Sequence, residues 1–181
     1  MIETRQSIDV AAPLAATWDY VCDIGGWAQL MPGMQTCDII DEYHSVWVLK
    51  VGVGGMVRTV RVAVTVDRWA GPEAVDFSYS LDGDPVNGTG TYRAVATHTG
   101  ETAMELYLTV SGSGPLAPMW EAMGRPLLPK LAGAFIGQLR DAIVSRTITP
   151  EPASASRSTR NLWHRLLSWL KRIGIKLKKS S

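Results

Sequence analysis

Residues 56–69 read Met-Val-Arg-Thr-Val-Arg-Val-Ala-Val-Thr-Val-Asp-Arg-Trp, and the period of two in this stretch decides the fold. Val60, Val62, Val64 and Val66 fall on one face with Arg58 on the same parity; Thr59, Arg61, Thr65 and Asp67 fall on the other. Side chains alternate across a strand, so one face is made for burial and the other for water. The same period continues on both sides. Met34–Asp41 and Ser45–Val53 precede it; Ala74–Leu81, Gly88–Thr97 and Thr102–Ser111 follow. Asp82-Gly83-Asp84-Pro85 and His98-Thr99-Gly100 are turn sequences, and the Gly52–Gly55 cluster reads as a hairpin turn. Six strands joined by short connections form an antiparallel meander.

A seventh strand comes first, where Ile2, Thr4, Gln6, Ile8 and Val10 alternate with polar neighbours. Pro13 then suits a first helical turn. Leu14–Ile24 reads as a short helix broken at Gly25-Gly26, with one more turn over Trp27–Met31. After the meander, Pro115–Ile148 is mostly helical, with apolar residues at three- and four-residue spacing. Pro126 and Pro129 are expected to interrupt it, so that the helix begins fully near Leu128. The predicted class is α+β: a seven-stranded antiparallel sheet curled around a long C-terminal helix.

The chain divides into a domain over residues 1–146, a Ser/Pro/Ala-rich linker over 147–160, and a tail over 161–181. Fourteen linker residues span a few tens of ångströms if extended. At about 100° per residue, Leu162, Trp163, Leu166, Trp169, Leu170, Ile173 and Leu177 fill one side of the tail. Arg165, Lys171, Arg172 and Lys176 lie beyond it, and Ile175 alone is misplaced. This is the pattern of a basic amphipathic helix lying in a membrane interface. From Arg157 onward there are eight Lys or Arg and no acid, which leaves ten basic and seventeen acidic residues before it. A polybasic tail gains roughly 1 kcal/mol per cation near an anionic leaflet. The plainer alternative is packing on its own domain or on a partner protein.

Several classes are excluded or disfavoured. A net acidic body argues against nucleic-acid binding. With 46% apolar residues but no uninterrupted apolar run of about 18, nothing is expected to span a bilayer. The N-terminus has no apolar core of a secretory signal, so the expected location is cytoplasmic, peripheral on the inner face of the cell membrane. Cys22 and Cys37 are too few for a disulfide framework and read as reduced, buried residues. His44, His98 and His164 form no catalytic constellation, and no set has metal-ligand spacing. Asp9, Asp19 and Asp23 read as caps and solvated positions. No catalytic residue, metal or covalent cofactor is expected.

Four segments carry a family resemblance. They are Val10-Ala11-Ala12-Pro13 with Trp18, Met31-Pro32-Gly33, Leu49-Lys50-Val51-Gly52-Val53-Gly54, and Val110-Ser111-Gly112-Ser113-Gly114-Pro115-Leu116. In order and spacing the chain resembles the G-subunit family of carbon monoxide dehydrogenases, within the START-like (SRPBCC) helix-grip superfamily. Met-Pro-Gly stands where that family usually has Leu-Pro-Gly. The resemblance implies a hydrophobic cavity suited to a quinone, menaquinone or ubiquinone. It also implies a membrane-binding C-terminal extension and service to a molybdenum hydroxylase or carbon monoxide dehydrogenase complex.

Strand parity places Trp47, Leu49 and Val51, Val60, Val62, Val64 and Val66, Val75, Phe77 and Tyr79, and Met104, Leu106, Leu108 and Val110 on the expected concave side, with Tyr92 also a cavity candidate, facing Met119, Trp120, Met123 and Phe135 of the long helix. These residues line a cavity or simply fill a core; the pattern alone serves both. Arg58 is the candidate polar anchor at a cavity mouth, against the plainer reading of a solvated strand end. Tyr79 and Tyr92 offer hydroxyls to a quinone carbonyl. Three functions follow: a membrane-tethered quinone or lipid binder, a ligand-free adaptor or maturation factor anchoring a dehydrogenase, and a polyketide cyclase-like enzyme.

Overall fold

The computed structural model describes residues 1–148 apart from Gly54 and Gly55 and the side chains of residues 53 and 56. The tail, and the linker beyond residue 148, lie outside the described residues. Seven strands run β1 (Ile2–Val10), β2 (Met34–Ile39), β3 (His44–Val53), β4 (Met56–Ala70), β5 (Ala74–Leu81), β6 (Val86–Ala96) and β7 (Thr102–Gly112). They form one sheet in the order β1-β7-β6-β5-β4-β3-β2, every neighbour antiparallel. The meander is therefore continuous from β2 to β7, and β1 closes it on the β7 side. Register shifts at Met34/Thr36 and Val66/Arg68 bend β2 and β4, as an extra residue in one strand does. The curled sheet and its long C-terminal helix make a helix-grip, START-like fold.

Between β1 and β2 lie α1 (Leu14–Val21) and α2 (Ile24–Ala28). The expected break at Gly25-Gly26 falls instead at Cys22-Asp23. The Asp23 carbonyl accepts the amides of Gly26 and Trp27, so both glycines sit inside α2. A Cβ on Gly26 would come within 3.2 Å of the Asp23 carboxylate. Cys22 is exposed and Cys37 half-buried, against the expectation that both are buried. Gly33 is required: its φ is +81° and a Cβ would lie 2.1 Å from the Lys50 carbonyl.

The long helix α3 runs unbroken over Ala117–Ile148 with both prolines inside it, rather than starting near Leu128. Pro126 and Pro129 are exposed, and so are Ala122 and Arg125, four residues earlier. Their carbonyls lose a helical donor where water can replace it, which is how an interior proline is tolerated. At the other end, Thr147 and Ile148 are helical rather than linker, and the Thr147 hydroxyl donates to the Ile143 carbonyl at 2.9 Å. Leu128, Ala132, Phe135, Ile136, Leu139 and Ile143 form the buried stripe. Each large member is worth roughly 1.5–3 kcal/mol when fully withdrawn from water. Around Leu139 and Ile143 the core is closed by Val10, Val66, Val75, Tyr92, Ala94 and Met104.

Candidate ligand cavity

The backbone of α3 comes closest to β1 and β7. Gly124 faces β1 there, and a Cβ on it would meet the tip of the Ile2 side chain at 2.5 Å. The helix thus leans on one side of the sheet, and β3, β4 and β5 curl up opposite it. Between them lies a cavity of about 580 Å³, within the roughly 300–1,000 Å³ usual for ligand pockets.

Its walls come from every layer. Trp47, Leu49 and Val51 of β3, Val57, Arg58, Val60 and Val62 of β4, and Phe77, Tyr79 and Leu81 of β5 make the curled side. Val86 of β6 and Leu106, Leu108 and Val110 of β7 make the floor. The helical side runs from Met119, Trp120, Met123 and Gly124 through Leu127, Leu128 and Leu131 to Ala132 and Phe135. Trp27 of α2 and Met31 close the inner end, where Trp27 packs on Trp47, Phe77 and Phe135 with ring centroids 5.3, 6.5 and 6.0 Å away. Val57, Arg58 and Met119 are exposed lining residues and mark the mouth.

Two glycines of β6 shape the floor. A Cβ on Gly90 would stand 2.1 Å from the Phe77 ring, and one on Gly88 would stand 2.6 Å from the Tyr79 ring. Both rings therefore lie across strand positions that have no side chain.

Polar groups are few. Tyr79 donates its hydroxyl to the Thr109 carbonyl at 2.7 Å, which removes it as the free donor expected for a quinone carbonyl. Burial pushes the Tyr79 and Tyr92 hydroxyls well above the ordinary tyrosine range, so both stay neutral. The Trp47 indole donates to Ser45 at 2.9 Å. The indole N–H groups of Trp27 and Trp120 are buried without a hydrogen-bond partner. At the mouth, Arg58 holds Asp84 at 2.6 Å and lies over the Trp120 ring, 5.2 Å from its centroid. Arg58 is thus both at the mouth and half in water, paired rather than free.

Of the residues expected on the concave side, Trp47, Leu49, Val51, Val60, Val62, Phe77, Tyr79, Leu106, Leu108, Val110, Met119, Trp120, Met123 and Phe135 line the cavity, as does Arg58. Val64, Val66, Val75, Tyr92 and Met104 do not; they are buried in the packed half of the core. Parity assigns a face, not a depth along the strand, and these five lie beyond the cavity's inner end. Trp27, Met31, Val57, Leu81 and Val86 were not anticipated, nor were Gly124, Leu127, Leu128, Leu131 and Ala132 of the helix. A five-residue helix has too few turns for its period to mark Trp27. The Gly88/Gly90 alternation was the unread signal for the rings above it. Among the described residues no group of His, Cys, Asp or Glu is arranged to hold a metal ion, and no helix is long and apolar enough to cross a membrane.

A single antiparallel sheet gripping one helix over an apolar cavity defines the helix-grip class. By its sequence the chain belongs to the polyketide cyclase / dehydrase and lipid transport family, whose model matches residues 1–144. No curated protein matches it. Solved structures share the fold at low identity. A conserved protein from Geobacillus kaustophilus is 16% identical with a TM-score of 0.69, over 80% of this chain and 97% of that one. The ZhuI aromatase/cyclase from Streptomyces sp. R1128 is 18% identical with a TM-score of 0.58, over 81% and 95%. The di-domain aromatase/cyclase StfQ of the steffimycin biosynthetic pathway is 10% identical with a TM-score of 0.60, over 82% of this chain and 52% of that one.

Proposed function

We propose that this protein binds a hydrophobic ligand, an isoprenoid quinone, beside an anionic membrane, and that it recruits or couples a molybdenum carbon monoxide dehydrogenase-type enzyme to that membrane. The cavity carries the reading: its lining is apolar and aromatic, with adaptable methionines at Met31, Met119 and Met123. In this reading a planar ring stacks against the aromatic cluster of Trp27, Trp47, Phe77 and Phe135 at the inner end, and a flexible tail lies along Leu127, Leu131 and the β4 valines. The basic, amphipathic sequence of 161–181 supports the membrane, and the four sequence motifs support the dehydrogenase. Burial of a tail is favourable from water at about 0.8 kcal/mol per methylene. A bilayer offers nearly the same apolar surroundings, so net extraction rests on shape and head-group contacts, and modest affinity is expected.

We read the protein as a binder and recruiter rather than a catalyst. The titratable side chains lining the cavity are Arg58 and Tyr79, one paired with a carboxylate and the other held neutral. A cyclase-like activity, favoured by the aromatase/cyclases that share the fold, needs an acid or base facing the substrate. Turnover lost on replacing a cavity residue would support it. Deleting residues 157–181 is expected to weaken sedimentation with vesicles containing anionic lipid; unchanged sedimentation would refute the tether.

A further inference from the structure

The cavity mouth carries exposed apolar groups. Val57 and Met119, which line the opening, are 63% and 46% exposed, and Leu116, just ahead of α3, is 53% exposed. Isolated exposed apolar residues need no explanation, but a cluster around the entrance to an apolar cavity does.

Charge differs between the mouth and the rest of the domain. Near the mouth, Lys50, Arg58, Arg61 and Arg125 match Glu3, Asp82, Asp84 and Glu121 in number. Lys50 is opposite Thr59, beside Arg58, and Arg61 reaches Asp82; Glu121 follows Met119 and Trp120 on α3, and Arg125 and Glu3 flank Leu128, which also lines the cavity. The rest of residues 1–148 holds twelve carboxylates and six Lys or Arg. An anionic surface repels the rest of the domain more than it repels the mouth. Arg58 over Trp120 adds an aromatic group with a cation beside it, the combination favoured where lipid tails meet headgroups.

We propose that this rim, Val57, Leu116 and Met119 with Arg58 and Trp120, docks onto the interface of a phospholipid bilayer, so that the cavity opens into lipid rather than water. The inference rests on the hydrophobic-ligand reading above and extends it. An apolar ligand crossing open water would expose its whole tail, which opposes transfer; a mouth seated in the interface removes that step.

The test uses the full chain with Cys22→Ser and Cys37→Ser, and one environment-sensitive fluorophore on Leu116→Cys, Val57→Cys or Val95→Cys. Val95 is 59% exposed near the far end of β6 and serves as the reference. A C-terminal hexahistidine tag holds each protein on phosphatidylcholine/phosphatidylglycerol vesicles containing nickel-chelating lipid, so attachment does not depend on residues 157–181. The labels at 116 and 57 should shift to the blue and be quenched by nitroxide lipids at a depth of ~5–10 Å, with the label at 95 unchanged. Labels at 116 and 57 that stay in water on these vesicles would overturn the proposal. Quinone uptake is measured separately on the same samples. A rim that docks without uptake keeps the docking surface and removes the quinone; uptake with the rim labels still in water does the reverse.

Discussion

Gly88 and Gly90 decide where two aromatic rings go. A methyl group at Gly90 would occupy the place of the Phe77 ring, so Gly90→Ala is expected to cost about 1–3 kcal/mol, as overpacking usually does, and to push Phe77 into the cavity. Chemical denaturation and ligand titration should both register it; an unchanged midpoint with unchanged affinity would mean that the ring has room elsewhere. Tyr79→Phe removes a hydrogen bond to Thr109 worth ~1 kcal/mol, and ligand affinity should hold, since that hydroxyl is already engaged. The buried Tyr79 and Tyr92 hydroxyls also set a pH response. Their folded pKa values lie above the ordinary 10.0 because burial disfavours the phenolate. Stability from both is therefore complete below pH ~10 and falls as pH rises toward the folded pKa, because the unfolded chain loses protons first. Denaturation midpoints at pH 9 and 11 should differ more for the wild type than for the Tyr79→Phe, Tyr92→Phe double variant. Much of this scale was legible: alternation placed Trp47, Leu49, Val62, Phe77 and Leu106 on the inner face. Hydrogen-bond partners were not, because Thr109 is thirty residues from Tyr79 and only the folded register brings its carbonyl there.

At the scale of elements, the strands were readable because most are long and alternate, whereas helix limits depended on carbonyls and water that periodicity does not report. α3 is the clearest case. Its prolines at 126 and 129 looked like a start signal, but both face solvent, where water satisfies the freed carbonyls. Pro carries a propensity cost of about 3 kcal/mol against Ala in a helix interior. Pro129→Ala should therefore raise stability by part of that amount; a fall would show that the proline fixes a bend needed to fit α3 over β1. Gly33, between α2 and β2, should tolerate no side chain. Its positive φ costs an L-residue roughly 1–2 kcal/mol, and the Lys50 carbonyl leaves no space for a Cβ. Gly33→Ala is expected to lower the unfolding midpoint strongly, and an unaltered midpoint would mean that the β2–β3 hairpin shifts to admit it.

Over the whole molecule, one asymmetry links fold to function. One half of the space between sheet and helix is packed by Ile143, Leu139, Val10 and Met104, and the other half is left as the cavity. The sequence contains the apolar inventory for both halves but not the gap between them, since the same alternation serves a filled core and a lined pocket. That is why Val64, Tyr92 and Met104 were placed with the cavity residues. Whether the gap takes a ligand is the central claim, and native mass spectrometry tests it most directly. The full chain would be incubated with anionic vesicles containing menaquinone or ubiquinone, separated from them, and weighed intact. A retained adduct of quinone mass, lost on replacing Leu131 or Val62 with a charged residue in a variant that still folds, is the expected result. A wild-type protein recovered at its bare mass from every quinone and lipid tried would contradict it.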